Sequence, residues 1–335
     1  MEEAVINKLY EMTGKSGSYR EKYSSIFNNL EVNNKTYMLG EEDTSRIVKA
    51  AKLAYDSHQD TRRKYDTFVA GKAVRLPYFD HVLSVALNTS EKTSSANAVI
   101  AAFLHDTVEH GKLTIAQIKK GFGMDVAEIV GLVTHPKVKI ILGGMTEYIY
   151  PADPRYATTR DSFKNLSPED FRLNYKRHVE SHRKISKYAL PERGGSSAGY
   201  IDPEKWRVAS AAFIVKYADI VSDLVELTDI GHGSARDKIA RIGKFESFMR
   251  IHIKFNKWAR DPGLCKQFEY FDFNEYRPLY TAYMRNLLVQ VKPMGLWEKI
   301  KLFNFARSKL PLRILAKGSR RYFRPKGGFN ETNSA

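Results

Sequence analysis

Apolar residues recur at helical spacing along much of the chain, and the densest run lies between Ala98 and Leu104. Nearly every position there is apolar, which predicts a helix covered on most sides and therefore a central one. Ser94 or Ser95 can cap its start, and Gly111 stands where a helix needs a left-handed residue to stop. Ile47, Ala51, Ala54, Tyr55 and His58 mark an earlier helix that begins at Glu41. Another opens near Pro77 and carries His81 in its first turns. Thr114 caps a short helix ending at Gly121, Asp125 to Val133 makes the next, and Glu204 to Leu227 a long apolar one. An amphipathic helix from Ala235 to Trp258 follows. The pattern predicts an all-α fold, with no strand-rich sector and no internal repeat.

Between these helices the chain changes character. Residues 1–40 are mixed, with Gly14-Lys-Ser-Gly17 as a break and Asn33-Asn34 as a turn. The Gly-Lys-Ser lacks the upstream glycine and the strand of a phosphate-binding loop, so it reads as a plain loop. Gln59 to Arg75 is a polar, basic connection. Turn formers crowd residues 143–200, from Gly143-Gly144 through Pro151, Pro154 and Pro191 to Gly194-Gly195, and mark an insertion. Within it Ser167-Pro-Glu-Asp opens a capped helix that runs to Tyr188. The expected organisation is an N-terminal extension (1–40), a helical domain (41–260) containing that insertion, and a basic helical C-terminal extension (261–335).

With 335 residues, 43% hydrophobic and 12% aromatic, the chain can bury a sizeable core and is not a disordered one. Cys265 is its single cysteine, which excludes an intramolecular disulfide and fits a reducing compartment. Met1-Glu-Glu-Ala opens no signal peptide and no apolar run spans a bilayer, so a cytoplasmic protein without a transmembrane segment is expected. The formal charge of +16 points to polyanionic partners without choosing among nucleic acid, an anionic membrane surface and a phosphorylated small substrate. Nine basic residues and no acidic one lie between Lys301 and Lys326. An ordinary packed helix with a charged outer face is the favoured reading there, ahead of nucleic-acid or anionic-surface contact. His178 and His182, at i,i+4 among Arg177, Arg183 and Lys184, read as part of a solvated basic face.

Seven polar groups interrupt the apolar helices in a way that calls for chemistry. The central helix delivers His105, Asp106, Glu109 and His110 at its end, the helix before it carries His81, and the long helix carries Asp219 and Asp223. Burying imidazoles and carboxylates is costly unless they are paired or bound to a cation. They are either separately satisfied polar residues or one metal centre. Two imidazoles and two carboxylates would leave positions open for water and substrate, as phosphate-ester cleavage requires.

The order His…His-Asp…Asp, each on its own apolar helix, resembles the HD phosphohydrolase superfamily. Arg75-Leu-Pro-Tyr-x-x-His81, the His-Asp-x-x-Glu run, Gly121-Phe-Gly123-x-x-Val-Ala127, Val133-Thr134 and Lys216-Tyr-Ala-Asp219 are similar to the hydrolase domain of the RelA/SpoT family. The similarity spans Glu41 to Ile251. It implies an HD-domain helical bundle that removes pyrophosphate from the 3′ position of guanosine tetra- or pentaphosphate. It also implies a manganese ion, or another divalent cation, on His81, His105, Asp106 and Asp219. Glu109 is then the acid/base or water-orienting group, with His110 beside it as a proton relay or phosphate contact. Arg62 or Arg63, Tyr175, Lys216 and Asp223 fall where the family contacts its nucleotide. The chain departs from the family twice: relatives place Glu-Asp where it has Glu109-His110, and asparagine where it has Asp223. Both changes bear on guanosine specificity more than on metal binding. They leave open another phosphorylated nucleotide or an RNA end as substrate, and a catalytically degenerate nucleotide-binding regulator.

Overall fold

The computed structural model describes residues 2–13, 17–33, 39–63, 67–69, 72–110, 112–134, 138–142, 145–149, 184–185, 187–188, 202–229 and 294–295. Eight helices run through these residues: α1 (Glu2–Met12), α2 (Gly17–Asn33), α3 (Glu41–His58), α4 (Tyr78–Ser90), α5 (Ala96–Glu109), α6 (Ile115–Phe122), α7 (Met124–Val133) and α8 (Pro203–Asp229). Two small antiparallel hairpins join them, β1 (Thr67–Val69) with β2 (Lys72–Val74), and β3 (Val138–Leu142) with β4 (Met145–Ile149). The expected all-α bundle is what forms; the hairpins are additions to it. Among the described residues, no helix is long and apolar enough to cross a membrane.

Helix α5 is the axis. From Ala98 to His105 every residue is buried, and α3, α4, α7 and α8 pack around it. Small residues at Ala98, Ala101 and Ala102 let those neighbours approach closely, while Val99, Ile100, Phe103 and Leu104 fill the space between them. Ser95 caps the start, its hydroxyl accepting the Ala98 N–H. The helix closes in step with the glycine signal, its C-cap being the residue just before Gly111. His110 is its C-cap at φ −88° and ψ 4°, and its N–H donates to the Asp106 carbonyl at 2.9 Å. Gly111 lies outside the described residues.

Two segments differ from the sequence expectation. Residues 1–40, read as a mixed extension, contain α1 and α2. Tyr19, Tyr23, Ile26, Phe27 and Leu30 recur every three to four residues, and all are buried. Tyr19 meets Phe79 edge-on at 5.6 Å and donates to Asp80 at 3.0 Å, while Lys22 reaches Ser84 at 3.0 Å. The extension therefore shares one core with α4. The basic connection from Gln59 to Arg75 contains the β1–β2 hairpin. Its base is stitched shut where the Arg63 N–H donates to Leu76 and the Tyr78 N–H to Thr61, both at 2.9 Å. That ladder brings Arg63 to the mouth of α4.

Of the insertion, β4 and residues 184–185 and 187–188 are described, β3 lying just before it; the rest of it, Tyr175, His178, His182 and the helices expected beyond residue 229 lie outside the described residues. The C-terminal extension is likewise outside, apart from residues 294–295.

Gly123 separates α6 from α7 at φ 95° and ψ 172°, a conformation nearly closed to residues with a side chain. No described atom lies within 4 Å of a Cβ placed there. Gly123→Ala is therefore expected to cost about 1–3 kcal/mol through backbone strain alone. Urea unfolding should show a lower midpoint with an unchanged slope; an unaltered midpoint would show that the turn relaxes without cost.

Candidate metal centre

Three helices deliver four groups to one point. α4 supplies His81 from its first turn, α5 supplies His105 and Asp106 from its last, and α8 supplies Asp219 from its middle. Ligating atoms of His81, His105 and Asp106 lie within 4.8 Å of one another. Asp106 Oδ2 is 3.1 Å from His105 Nε2 and 3.8 Å from His81 Nε2. Asp219 Oδ1 closes the other side, 3.4 Å from His81 Nε2 and 3.9 Å from His105 Nε2.

The outer contacts aim both imidazoles inward. His105 Nδ1 faces the Ala102 carbonyl at 2.7 Å, an acceptor only, so that nitrogen carries the proton. His81 Nδ1 meets the Ser222 hydroxyl at 3.1 Å. Each Nε2 is thereby turned towards the carboxylates, the arrangement in which a second partner orients a metal-binding histidine. His105 Nε2 is buried and, despite its 3.1 Å approach to Asp106, makes no aligned hydrogen bond. An orphaned nitrogen between carboxylates fits a divalent cation, and the mixed nitrogen and oxygen donors suit one.

Without an ion, the cluster balances its own charge. Burial opposes ionisation of Asp106, but the neighbouring His105 cation outweighs it and holds the carboxyl well below its usual range. Asp219 is also held low against burial, chiefly by Lys216, whose Nζ donates to Oδ2 at 2.7 Å. His105 in turn is pushed up to about 9, because the two aspartates overcome its burial. His81 goes the other way, down to about 4, through burial and the nearby Arg63 charge.

The remaining residues singled out in the sequence fall into place unevenly. Lys216 is buried and engaged with Asp219, so it neutralises and orients that carboxylate. Glu109, half-buried at the end of α5, is near enough to favour the charged form of Lys216. Of the two arginines, Arg62 is exposed and Arg63 is buried. Arg63 donates to Asp223 Oδ1 at 3.1 Å, so the two positions expected to touch a nucleotide form an ion pair. His110 does not point into open space; its ring stands 4.8 Å from Tyr78 and 5.1 Å from His58.

Three participants escaped the sequence reading. Tyr78 donates its hydroxyl to Asp106 Oδ2 at 2.5 Å, and burial first, then Asp106, keeps that hydroxyl protonated. Ser222 supports His81. His58 is fully buried with neither ring nitrogen hydrogen-bonded among the described residues, and burial pushes it down to about 3. Tyr78 had a signal, three residues ahead of His81 and hence on the same face of α4. Ser222, three residues beyond Asp219, had the same one.

Comparison with known proteins agrees with this geometry. Residues 50–138 match the HD domain family, a segment that holds His81, His105 and Asp106. Within that region the chain is similar to guanosine-3′,5′-bis(diphosphate) 3′-pyrophosphohydrolases. It is 36% identical over 97 residues to the MESH1 enzyme of Xenopus tropicalis, which covers 28% of this chain and 50% of that protein. Against the Aquifex aeolicus enzyme it is 36% identical over 93 residues, 28% of this chain and 12% of the relative. Human MESH1 is 30% identical over 97 residues, again 28% of this chain and 50% of the relative. The chain thus spans about half the length of the MESH1 relatives it matches.

A proton on His105 competes directly with any cation taken up between these side chains. That proton is held below pH 9 or so in the ion-free protein, whereas His81 is already neutral above pH 4. Affinity for Mn2+ should therefore rise by about tenfold per pH unit between pH 6 and 8, the limit for one competing proton. Titration calorimetry in buffers of differing ionisation heat should find close to one proton released per ion. Release of none would mean that His105 is not protonated in the free cluster.

Proposed function

We propose that this chain is a metal-dependent phosphohydrolase that removes pyrophosphate from the 3′ position of a guanosine tetra- or pentaphosphate-like nucleotide. The reading is supported by one conjunction: a convergent His-His-Asp cluster lies in the HD domain segment that resembles named 3′-pyrophosphohydrolases. His81, His105, Asp106 and Asp219 would hold the ion, manganese being the family expectation. A bound divalent cation supplies a more acidic water and neutralises charge on the phosphoryl group.

The chain's own groups carry the remaining work. Glu109 sits one turn beyond His105 and serves as the base for the attacking water. Water adds to the phosphorus next to the ribose, the 3′ oxygen leaves as a hydroxyl after taking up a proton, and pyrophosphate is released. Lys216 keeps Asp219 ionised and directed inward. Arg63, held by Asp223, forms the wall on the α8 side of the cluster. A phosphorylated nucleotide in a reducing cytoplasm suits the chain's high positive charge and single cysteine.

The Arg63–Asp223 pair favours a second reading, with the same chemistry on a different phosphorylated nucleotide. A carboxylate that already occupies the arginine changes what the wall can recognise relative to an asparagine. Purified protein with Mn2+ separates the two when offered guanosine 3′,5′-bis(diphosphate) and a panel of other nucleotides. Pyrophosphate release from the guanosine compound supports the first reading. Turnover confined to another nucleotide supports the second, and ion binding without any turnover would leave a nucleotide-binding regulator.

Asp219→Asn should abolish turnover, because it removes an ion-facing carboxylate and leaves Lys216 buried beside a neutral group. Glu109→Gln should retain the ion and lower the turnover rate by about a hundredfold or more, the range for lost acid–base help. Ion content by elemental analysis alongside single-turnover rates checks both. An unchanged rate in the Glu109 variant would remove that residue from the mechanism.

A further inference from the structure

Tyr78 occupies a position between the two halves of the site. Its hydroxyl donates at 2.5 Å to Asp106 Oδ2, the oxygen that also faces His105 and His81. Its ring is held on several sides: His58 at 4.9 Å, His110 at 4.8 Å and His81 at 5.6 Å between ring centres. The Arg63 guanidinium lies over the ring, 5.2 Å from its centre. The backbone is fixed as well, since Tyr78 is the first residue of α4 and its N–H is tied to Thr61.

A carboxylate rotates about a terminal torsion with broad, roughly two-fold preferences, so its two oxygens exchange places unless something selects one. A rigid hydroxyl donor on a packed ring does so. We propose that Tyr78 is the positioning residue of this centre: its hydroxyl fixes the Asp106 carboxylate for the ion, and its ring fixes Arg63 for the substrate. The inference rests on the metal-dependent reading above, and adds a residue for which that reading has no role. One side chain then sets the ion and the nucleotide wall relative to each other. The hydroxyl does the first task and the ring the second, which makes them separable by substitution.

Tyr78→Phe keeps every ring contact and removes only the donor. Its Mn2+ affinity, read by electron paramagnetic resonance of the free ion, should fall about 10–100-fold, the usual cost of losing an outer partner to a ligand. Nucleotide binding in the absence of metal should stay as in wild type. Tyr78→Leu removes the ring as well, and should weaken both. Tyr23→Phe is the control for general loss of a tyrosine hydroxyl, because Tyr23 bonds Thr13 away from the cluster; it should leave Mn2+ affinity unchanged. Wild-type affinity in Tyr78→Phe, with its thermal midpoint within a few degrees of wild type, would overturn the proposal. So would an equal loss in Tyr23→Phe. Failure of the wild-type chain to bind Mn2+ would overturn both this inference and the proposed function. Ion binding that depends on Tyr78 without hydrolysis of any nucleotide would overturn only the function.

Discussion

Two buried carboxylates facing each other across two imidazoles set the terms for the rest of this structure. Asp106 and Asp219 come from different helices, and neither can remain ionised in a dry interior without a nearby positive charge. Lys216 provides one such charge and a protonated His105 the other. The balance is conditional, because the proton on His105 sits where a cation fits. Exchanging that proton for a divalent ion leaves the cluster with one more positive charge than before, which favours an approaching phosphoryl group. The same groups that keep the free fold neutral at its centre would, with an ion in place of that proton, carry a net positive charge.

That constraint explains the packing around α5. A helix that must deliver His105 and Asp106 into the interior has to be enclosed for its whole length. The alanines at 98, 101 and 102 suit this, since every residue from Ala98 to His105 is buried where α3, α4, α7 and α8 pack on the helix. The Gln59–Arg75 segment is subject to the same demand. Its hairpin is closed by bonds from Arg63 to Leu76 and from Tyr78 to Thr61, which set the arginine beside the start of α4.

Helices were legible in the sequence because their period of 3.6 was unbroken: Glu41 to His58 and the apolar run of α5 emerge almost residue for residue. Residues His81, His105, Asp106 and Asp219 stood out because a titratable group buried in an apolar helix is costly unless paired or bound, and the fold does gather them. Short hairpins were not legible. Gly143-Gly144 separates the paired residues Leu142 and Met145, a two-residue hairpin spacing, but the glycines merged into a longer turn-rich stretch. Helix α2 was missed for a different reason: its buried face is mostly tyrosine and phenylalanine, with Asn and Ser between, and so carries little contrast in polarity. The Arg63–Asp223 pair spans 160 residues, and nothing local in the sequence connects its members.

The departure at His110 reads differently once its surroundings are known. A carboxylate at that position, next to Asp106 and near Glu109, would add a third negative charge to the end of α5. Helix C-termini disfavour anions and favour neutral or positive groups. The histidine instead packs edge-on against Tyr78 and His58. It therefore buttresses the ring that positions Asp106 and carries Arg63. His58 belongs to the same apolar wall, and its low basicity keeps a second charge from forming behind Tyr78. Asp223, the other departure, is paired with Arg63, whose guanidinium lies over the same Tyr78 ring. Both departures thus meet at Tyr78, His110 through its edge-on ring and Asp223 through Arg63.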